Sequence, residues 1–234
     1  MKVSIIKYNA GNIQSVLFAL ERIGIEAIVT SDLEILKTSD KVIFPGVGEA
    51  SSAMNYLKEH QLDKLIVDLK QPVLGICLGM QCCVIEFGRN VLGLKDAHST
   101  EMNAKTKHPV IHMMEEQLEV TEKGGTMRLG SYDCRLFKKT KAFEIYKSQN
   151  ITERHRHRYE FNNTYLKDYE GKGMIAVGIN PQQNLVEIVE VKDHPWFIGV
   201  QFHPELKSKV ENPHPLFVAF IKAAIEYKDK KSLK

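Results

Sequence analysis

The chain has 234 residues, of which 43% are hydrophobic and 26% are charged, and its formal net charge at neutral pH is +3. This length and apolar content suit one α/β domain, and so small a charge does not provide a basic surface for nucleic acid. We therefore expect a single domain over residues 1–228, followed by a basic, frayed tail over residues 229–234.

The first part of the chain alternates short apolar strands with amphipathic helices. Strands are predicted at Val3–Ile6, Glu26–Thr30, Val42–Phe44 and Val73–Ile76, and helices at Ile13–Ile23 and Ala50–His60. Such alternation is typical of βαβ units. It predicts a parallel sheet that is covered by helices on both faces.

The second part of the chain is richer in strands. These are predicted at Leu118–Val120, Gly173–Ile179, Leu185–Val191 and Phe197–Phe202, and a helix from Pro215 to about Tyr227 closes the domain. Glycine or asparagine turns separate the strands, and the sequence has no repeats and no low-complexity linker.

The number and spacing of the cysteines indicate the redox state of the compartment in which the protein works. They stand at positions 77, 82, 83 and 134, without the paired spacing of a metal site and without a secretory signal. Such usage is typical of free thiols in a reducing compartment, and no apolar run is long enough to span a bilayer. We expect a soluble, cytoplasmic protein without a metal, a cofactor or a membrane attachment, in which Cys82, Cys83 and Cys134 have no catalytic role.

Cys77 lies in the segment Gly75-Ile76-Cys77-Leu78-Gly79, between a predicted strand and a predicted helix. This is the pattern of a nucleophile elbow, with sulfur in place of oxygen, which exposes the nucleophile at the carboxyl edge of a sheet. The two glycines are expected to allow the tight turn, and the positive end of the following helix favours a thiolate. For a cysteine considered alone, a buried structural role is the alternative.

A candidate base follows the last predicted strand, in Gln201-Phe202-His203-Pro204-Glu205. Residues two apart in an extended chain face the same side, so Glu205 could orient His203 toward a nucleophile. A histidine at a strand end is more often structural, and its acidic neighbour is what favours a catalytic role.

These two motifs, in this order, resemble the Cys-His-Glu triad of the class I glutamine amidotransferases. The resemblance implies a flavodoxin-like α/β fold, with a central, mostly parallel sheet, helices on both faces and a smaller antiparallel sheet. It also implies hydrolysis of L-glutamine to L-glutamate and ammonia. Cys77 would form a glutamyl thioester, and His203 would activate the water that hydrolyses it.

The chain resembles two branches of this family, one in its first part and the other in the rest. Residues 1 to about 81, with the segments Lys7–Asn12 and Phe44–Gly48, resemble the glutaminase subunit of imidazole glycerol phosphate synthase. Residues from about 77 to 228, with Ser99–Glu101 and Arg154–Glu160, resemble the glutaminase domain of CTP synthase. The change falls in a segment that both branches share, which is the pattern of a natural recombinant or a constructed chimera.

The tetrahedral intermediate of this chemistry carries a negative oxygen that needs preorganised donors. One expected donor is the backbone amide of Leu78, directly after the nucleophile. The second is expected from the loop Pro45–Gly48, through Gly46 or Val47. Without the resemblance, this loop would be an ordinary turn at the end of a strand.

The resemblance to CTP synthase implies three residues that bind glutamine. Gln81 and Glu101 would line the pocket, Glu101 facing the α-ammonium group, and Arg158 would contribute to the α-carboxylate end. Gln81 also lies one helical turn after Cys77, on the side that faces the site. Without the resemblance, the run Arg154–Arg158 would be a basic segment facing solvent or nucleic acid.

The predicted function is a glutaminase that supplies ammonia to a synthase subunit or domain, of the CTP synthase or the imidazole glycerol phosphate synthase type. A γ-glutamyl hydrolase or peptidase with the same nucleophile is an open alternative. A catalytically idle, partner-binding module is another, because a shift of about one ångström in the oxyanion loop would cost on the order of a hundredfold in rate.

Overall fold

The computed structural model describes residues 2–8, 12–46, 56–57, 59–62, 65, 68–113 and 127–232. Its strands are β1 (Val3–Ile6), β2 (Ala27–Thr30), β3 (Lys41–Phe44), β4 (Val73–Ile76), β5 (Ala97–Ser99), β6 (His108–Met113), β7 (Arg128–Leu136), β8 (Asn150–His157), β9 (Tyr159–Phe161), β10 (Met174–Ile179), β11 (Val186–Val191) and β12 (Phe197–Val200). The main helices are α1 (Ile13–Glu21), α2 (Leu33–Thr38), α3 (Leu78–Asn90), α4 (Lys141–Tyr146), α5 (Leu166–Gly171) and α6 (Pro215–Ser232), and short 3-10 turns cover Asn163–Tyr165 and Pro204–Leu206.

Nine of the described strands form one sheet, in the order β2-β1-β3-β4-β12-β11-β10-β7-β8. The strands from β2 to β12 pair in parallel, and β11, β10, β7 and β8 continue the sheet with antiparallel pairs. In the β4–β12 pair, Val200 lies opposite Ile76. The residues that follow these two strands therefore leave the sheet at the same edge.

The core lies on both faces of the parallel strands. Helices α1 and α6 cover one face, where Val16, Leu20, Phe217 and Phe220 are buried in one apolar cluster. Helix α3 covers the other face, and Val84 is among its buried residues. Strands β1, β3, β4 and β12 are buried along their whole length, as is typical of parallel strands covered on both faces. The sequences of β4 and β12 are continuous apolar runs, whereas β1 and β3 also bury Ser4 and Lys41.

The predicted strands of the parallel part agree with the structure to within two residues, but two helix ends differ. Helix α1 ends at Glu21 rather than Ile23, because the chain turns into Gly24, which has a φ of +72°. Helix α6 continues to Ser232 rather than ending near Tyr227, because no glycine or proline follows Pro215 to stop it. The predicted helix Ala50–His60 lies largely outside the described residues, and the predicted strand Leu118–Val120 lies wholly outside them.

The smaller sheet is mixed, whereas we expected an antiparallel one. Strand β6 pairs in parallel with β5 and antiparallel with β9. The hydroxyl of Thr106 donates to the carbonyl of Asp96, so the chain returns to the start of β5 before β6 begins. That return makes the parallel pairing possible.

The basic run Arg154–Arg158 is mainly part of strand β8. Along β8, Glu153, His155 and His157 are buried, whereas Arg154 and Arg156 are exposed. The period of two is that of a strand with one buried face. The run is therefore not simply a solvated segment. No described helix is both long and apolar enough to cross a membrane.

We predict that Gly79→Ala destabilises the fold by about 3 kcal/mol, at the upper end for overpacked sites. A Cβ atom at Gly79 would lie 2.1 Å from the Phe44 carbonyl oxygen, which is backbone and cannot rotate away. Urea unfolding measures the effect, and Gly171→Ala is the matched control because a Cβ there meets nothing within 4 Å. Equal stability of the two variants would contradict this packing.

Candidate active site

Cys77 has a strained backbone at the junction of β4 and α3. Its φ is +47° and its ψ is −109°, a conformation that costs a non-glycine residue free energy and is held only by its surroundings. Two hydrogen bonds hold it: the Cys77 amide donates to the Val200 carbonyl at 2.7 Å, and the Gln81 amide donates to the Cys77 carbonyl at 3.1 Å. The pairing of β4 with β12 therefore stabilises the sharp turn at Cys77.

The glycines of the elbow flank the strained Cys77 and allow the tight turn, as we expected. The left-handed conformation falls on Cys77 itself, and neither Gly75 nor Gly79 has a positive φ. Instead, a Cβ atom at Gly75 would lie 3.2 Å from the Met80 backbone, and one at Gly79 would overlap the Phe44 carbonyl. The glycines therefore let the helix start pack closely against β3 and β4.

The predicted oxyanion donors lie partly within the described residues. Leu78 is the first residue of α3, and the amides of a first helical turn have no partner within the helix. A Cβ atom at Gly46 would lie 2.6 Å from the Leu78 nitrogen and 1.8 Å from the Ile76 carbonyl oxygen, so the Gly46 backbone lies directly against the elbow. Val47 is outside the described residues.

His203 and Glu205 lie behind the sulfur and are almost fully buried. Nδ1 of His203 lies 2.7 Å from Oε1 of Glu205. Glu205 belongs to the 3-10 turn Pro204–Leu206, so a tight turn makes this contact rather than the extended chain we expected. The side-chain amide of Asn12 also donates to Oε1 of Glu205, and the carboxylate is thus held from two sides.

The charge state of His203 follows from its neighbours. Burial lowers the pKa of His203, but negative charge on Cys77 and Glu205 outweighs burial and raises that pKa to about 10. At neutral pH this raised pKa favours the imidazolium form of His203.

A pocket of about 330 Å³ opens over Cys77. Its lining includes six of the predicted site residues: Gly46, Cys77, Leu78, Gln81, Glu101 and Arg158. Met127, Arg156, His157 and Tyr159 also line it. The volume suits a small ligand, and the pocket presents a carboxylate and two guanidinium groups to it.

Three buried side chains near the pocket have the composition of a metal site. Ligand atoms of His155, His157 and Glu187 lie within 4.8 Å of one another. However, His157 Nδ1 lies 3.1 Å from the Tyr159 carbonyl oxygen and must donate to it, so His157 Nε2 accepts from His155 Nδ1 at 2.9 Å. Glu187 also pairs with Arg128 at 2.5 Å, and this positive charge opposes a cation. The arrangement favours a hydrogen-bonded group over a metal centre.

Sequence reasoning missed six described residues that contact this site, two of which are Met127 and His157 in the pocket lining. Asn12, Arg156, Tyr159 and Gln201 are brought there by α1, β8, β9 and the end of β12. Gln201 is the first residue of the quoted segment Gln201–Glu205, two residues before His203, so its position was a usable signal. Asn12 had no such signal, because it lies far from the triad along the chain.

The comparisons with known proteins agree with this geometry. The sequence profile of the family described as Glutamine amidotransferase class-I matches residues 5–223. The chain belongs to this family. Its amidotransferase domain is 60% identical over 191 residues to the CTP synthase of Cytophaga hutchinsonii, covering 80% of this chain and 34% of that protein. The CTP synthase of Fibrobacter succinogenes is 49% identical over 219 residues, covering 88% of this chain and 37% of that protein.

The chain therefore spans about a third of the length of these curated relatives. Among solved structures, the glutaminase domain of Trypanosoma brucei CTPS with bound acivicin superposes with a TM-score of 0.84. It is 29% identical, over 97% of this chain and 94% of that chain. The amidotransferase fold expected from the sequence is confirmed.

We predict that Asn12→Ala lowers the kcat of glutamine hydrolysis by about tenfold with little change in KM. It removes one of two hydrogen bonds to the Glu205 oxygen, and a hydrogen bond to a charged group contributes about 1.5 kcal/mol. The side chain of Asn12 does not cap α1, so helix stability should not change. Steady-state kinetics test this, with the surface variant Asn163→Ala as control, whose amide bonds the Asn184 carbonyl. An unchanged kcat would show that Asn12 does not position Glu205.

Proposed function

We propose that this domain hydrolyses L-glutamine to L-glutamate and ammonia, with Cys77 as nucleophile, His203 as acid and base, and Glu205 as the carboxylate that orients His203. The observation that most supports the proposal is the strained Cys77 at the floor of a pocket. That pocket has one anionic and two cationic side chains for an α-ammonium and an α-carboxylate group.

The first half of the reaction starts from the thiolate and imidazolium pair. The sulfur attacks the carboxamide carbon, and the negative oxygen accepts hydrogen bonds from Leu78 and from the Gly46 loop. His203 then gives its proton to the nitrogen, the C–N bond breaks, and ammonia leaves a glutamyl thioester. Because its raised pKa makes it protonated at the outset, His203 acts as an acid before it acts as a base.

The second half regenerates the enzyme. Neutral His203 takes a proton from water as the water oxygen adds to the thioester carbon. Collapse of the intermediate breaks the C–S bond, releases glutamate and restores the thiolate beside the imidazolium. Glu205 keeps Nδ1 of His203 occupied throughout, so that Nε2 exchanges the protons.

We also propose a synthase domain of the CTP synthase type as the acceptor of the ammonia. The support is the identity to CTP synthases over 80 to 88% of the chain, within proteins about three times its length. A partner of the imidazole glycerol phosphate synthase type stays a prediction from the first 81 residues, as does the cytoplasmic location.

We predict that the purified chain releases glutamate from glutamine and that Cys77→Ala abolishes the release, because no other group can form the thioester. The matched control is Cys134→Ala, since Cys134 is buried among core residues and should be dispensable. Labelling with acivicin, which the trypanosome domain binds, reports on Cys77 independently of a partner. Turnover that survives Cys77→Ala would overturn the proposal. Preferential turnover of γ-glutamyl peptides would favour a peptidase, and neither turnover nor labelling would favour an idle module.

We predict that Glu101→Gln raises the KM for glutamine at least tenfold while kcat changes less. The substitution removes a negative charge that faces the substrate ammonium group, which is remote from the reacting carbon. Glu144→Gln, on the exposed side of α4, is the control of equal charge change. A fall in kcat at saturating glutamine equal to the fall in kcat/KM would assign Glu101 to the chemical step instead.

A further inference from the structure

We infer that Gln201 is a catalytic residue whose side-chain amide donates to the Cys77 sulfur and links it to Gln81 in the substrate pocket. The catalytic part of this inference rests on the proposed glutaminase function, because the sulfur is the reacting atom. The contact between Gln201 and the sulfur stands on the geometry alone.

Gln201 is held rigidly between the nucleophile and the pocket. It directly follows β12 and is fully buried, and its backbone amide donates to the Glu187 carbonyl at 2.8 Å. Its side-chain nitrogen lies 3.7 Å from Sγ of Cys77. Its side-chain oxygen lies 3.2 Å from the side-chain nitrogen of Gln81.

A backbone carbonyl fixes the orientation of both amides. The Gln81 side chain lies 2.7 Å from the Tyr159 carbonyl oxygen, which can only accept, so the nitrogen of Gln81 must face it. The same nitrogen then faces Gln201, which must present its oxygen there. The nitrogen of Gln201 is thereby directed at the sulfur.

This donor favours a charged sulfur over a neutral one. Hydrogen bonds to ionised groups are roughly twice as strong as neutral ones, and Gln201 is buried, where water competes little. The same donor favours departure of the thiolate when the thioester is hydrolysed. Because Gln81 also lines the pocket, occupation of the pocket is coupled to the sulfur through two amides.

Other titratable groups face the same sulfur. His203 and Tyr8 both respond to the charge of Cys77, as does Cys82 on α3. Burial raises the pKa values of Tyr8 and Cys82, which keeps both neutral at physiological pH. Glu101, Arg156, Arg158 and the neutral His157 face the pocket above it. A substitution at Gln201 leaves the chemical identity of all these groups unchanged.

The test is the pH dependence of Cys77 alkylation by iodoacetamide, measured by peptide mass spectrometry with Cys77→Ala as background. In Gln201→Met, which keeps the size but removes the donor, we expect the midpoint of alkylation to move up by about one pH unit. Gln201→Glu should shift the midpoint further, because a carboxylate would repel the thiolate. The matched control Gln71→Met removes a buried amide that bonds the Leu36 carbonyl, and its midpoint should equal that of the wild type.

Thermal unfolding first establishes that each variant is folded. If the Gln201 variants do not fold, Gln81→Met is the variant that tests the inference. This substitution removes the partner that fixes the orientation of the Gln201 amide. It should move the midpoint of alkylation in the same direction, by a smaller amount. An unchanged midpoint in the folded variants overturns the inference, whether or not glutamine is turned over. A shifted midpoint in a chain that does not hydrolyse glutamine overturns the proposed function but supports the contact with the sulfur.

Discussion

The parallel pairing of β4 with β12 is the constraint on which the rest of the site depends. The two strands lie far apart along the chain, yet Val200 lies opposite Ile76 and accepts a hydrogen bond from Cys77. This single register sets the nucleophile and the segment Gln201–Glu205 at one edge of the sheet. Because a shift of one residue would turn every side chain of β12 to the other face, the apolar core on both faces also protects the geometry of the proposed triad.

The strain at Cys77 is compensated by close packing of the elbow. The left-handed turn is unfavourable for cysteine, and it is held by β12 on one side and by the first turn of α3 on the other. Gly79 brings α3 against the end of β3, and Gly46 lies against the backbone between Ile76 and Leu78. Gly46, which belongs to the loop that is expected to complete the oxyanion hole, thus lies against the backbone on both sides of Cys77.

A buried polar layer determines the charge of the pocket. Burial lowers the pKa of His157 to about 3, and the charge of Arg128 lowers it further in the same direction, so this histidine contributes no positive charge near the substrate. Arg128 is paired with Glu187, and the positive groups left to face the pocket are Arg156 and Arg158. The imidazole of His203 differs because its neighbours Cys77 and Glu205 raise its pKa. His157 is therefore neutral and His203 is protonated, because different groups surround the two imidazoles.

The sequence by itself determined the parallel strands, the elbow, the His-X-Glu segment and the family, because each is a local pattern of apolar period, turn residues and spacing. It did not determine the mixed pairing of β6, the strand character of the basic run Arg154–Arg158, or the contacts of Asn12 and Gln201. Those depend on which distant strands meet and in which register, a choice made by burial of the whole sheet rather than by any short segment. Only the tertiary structure could place an amide from α1 on Glu205 and an amide from the end of β12 on Cys77, because side chains that share a site need not share a stretch of sequence.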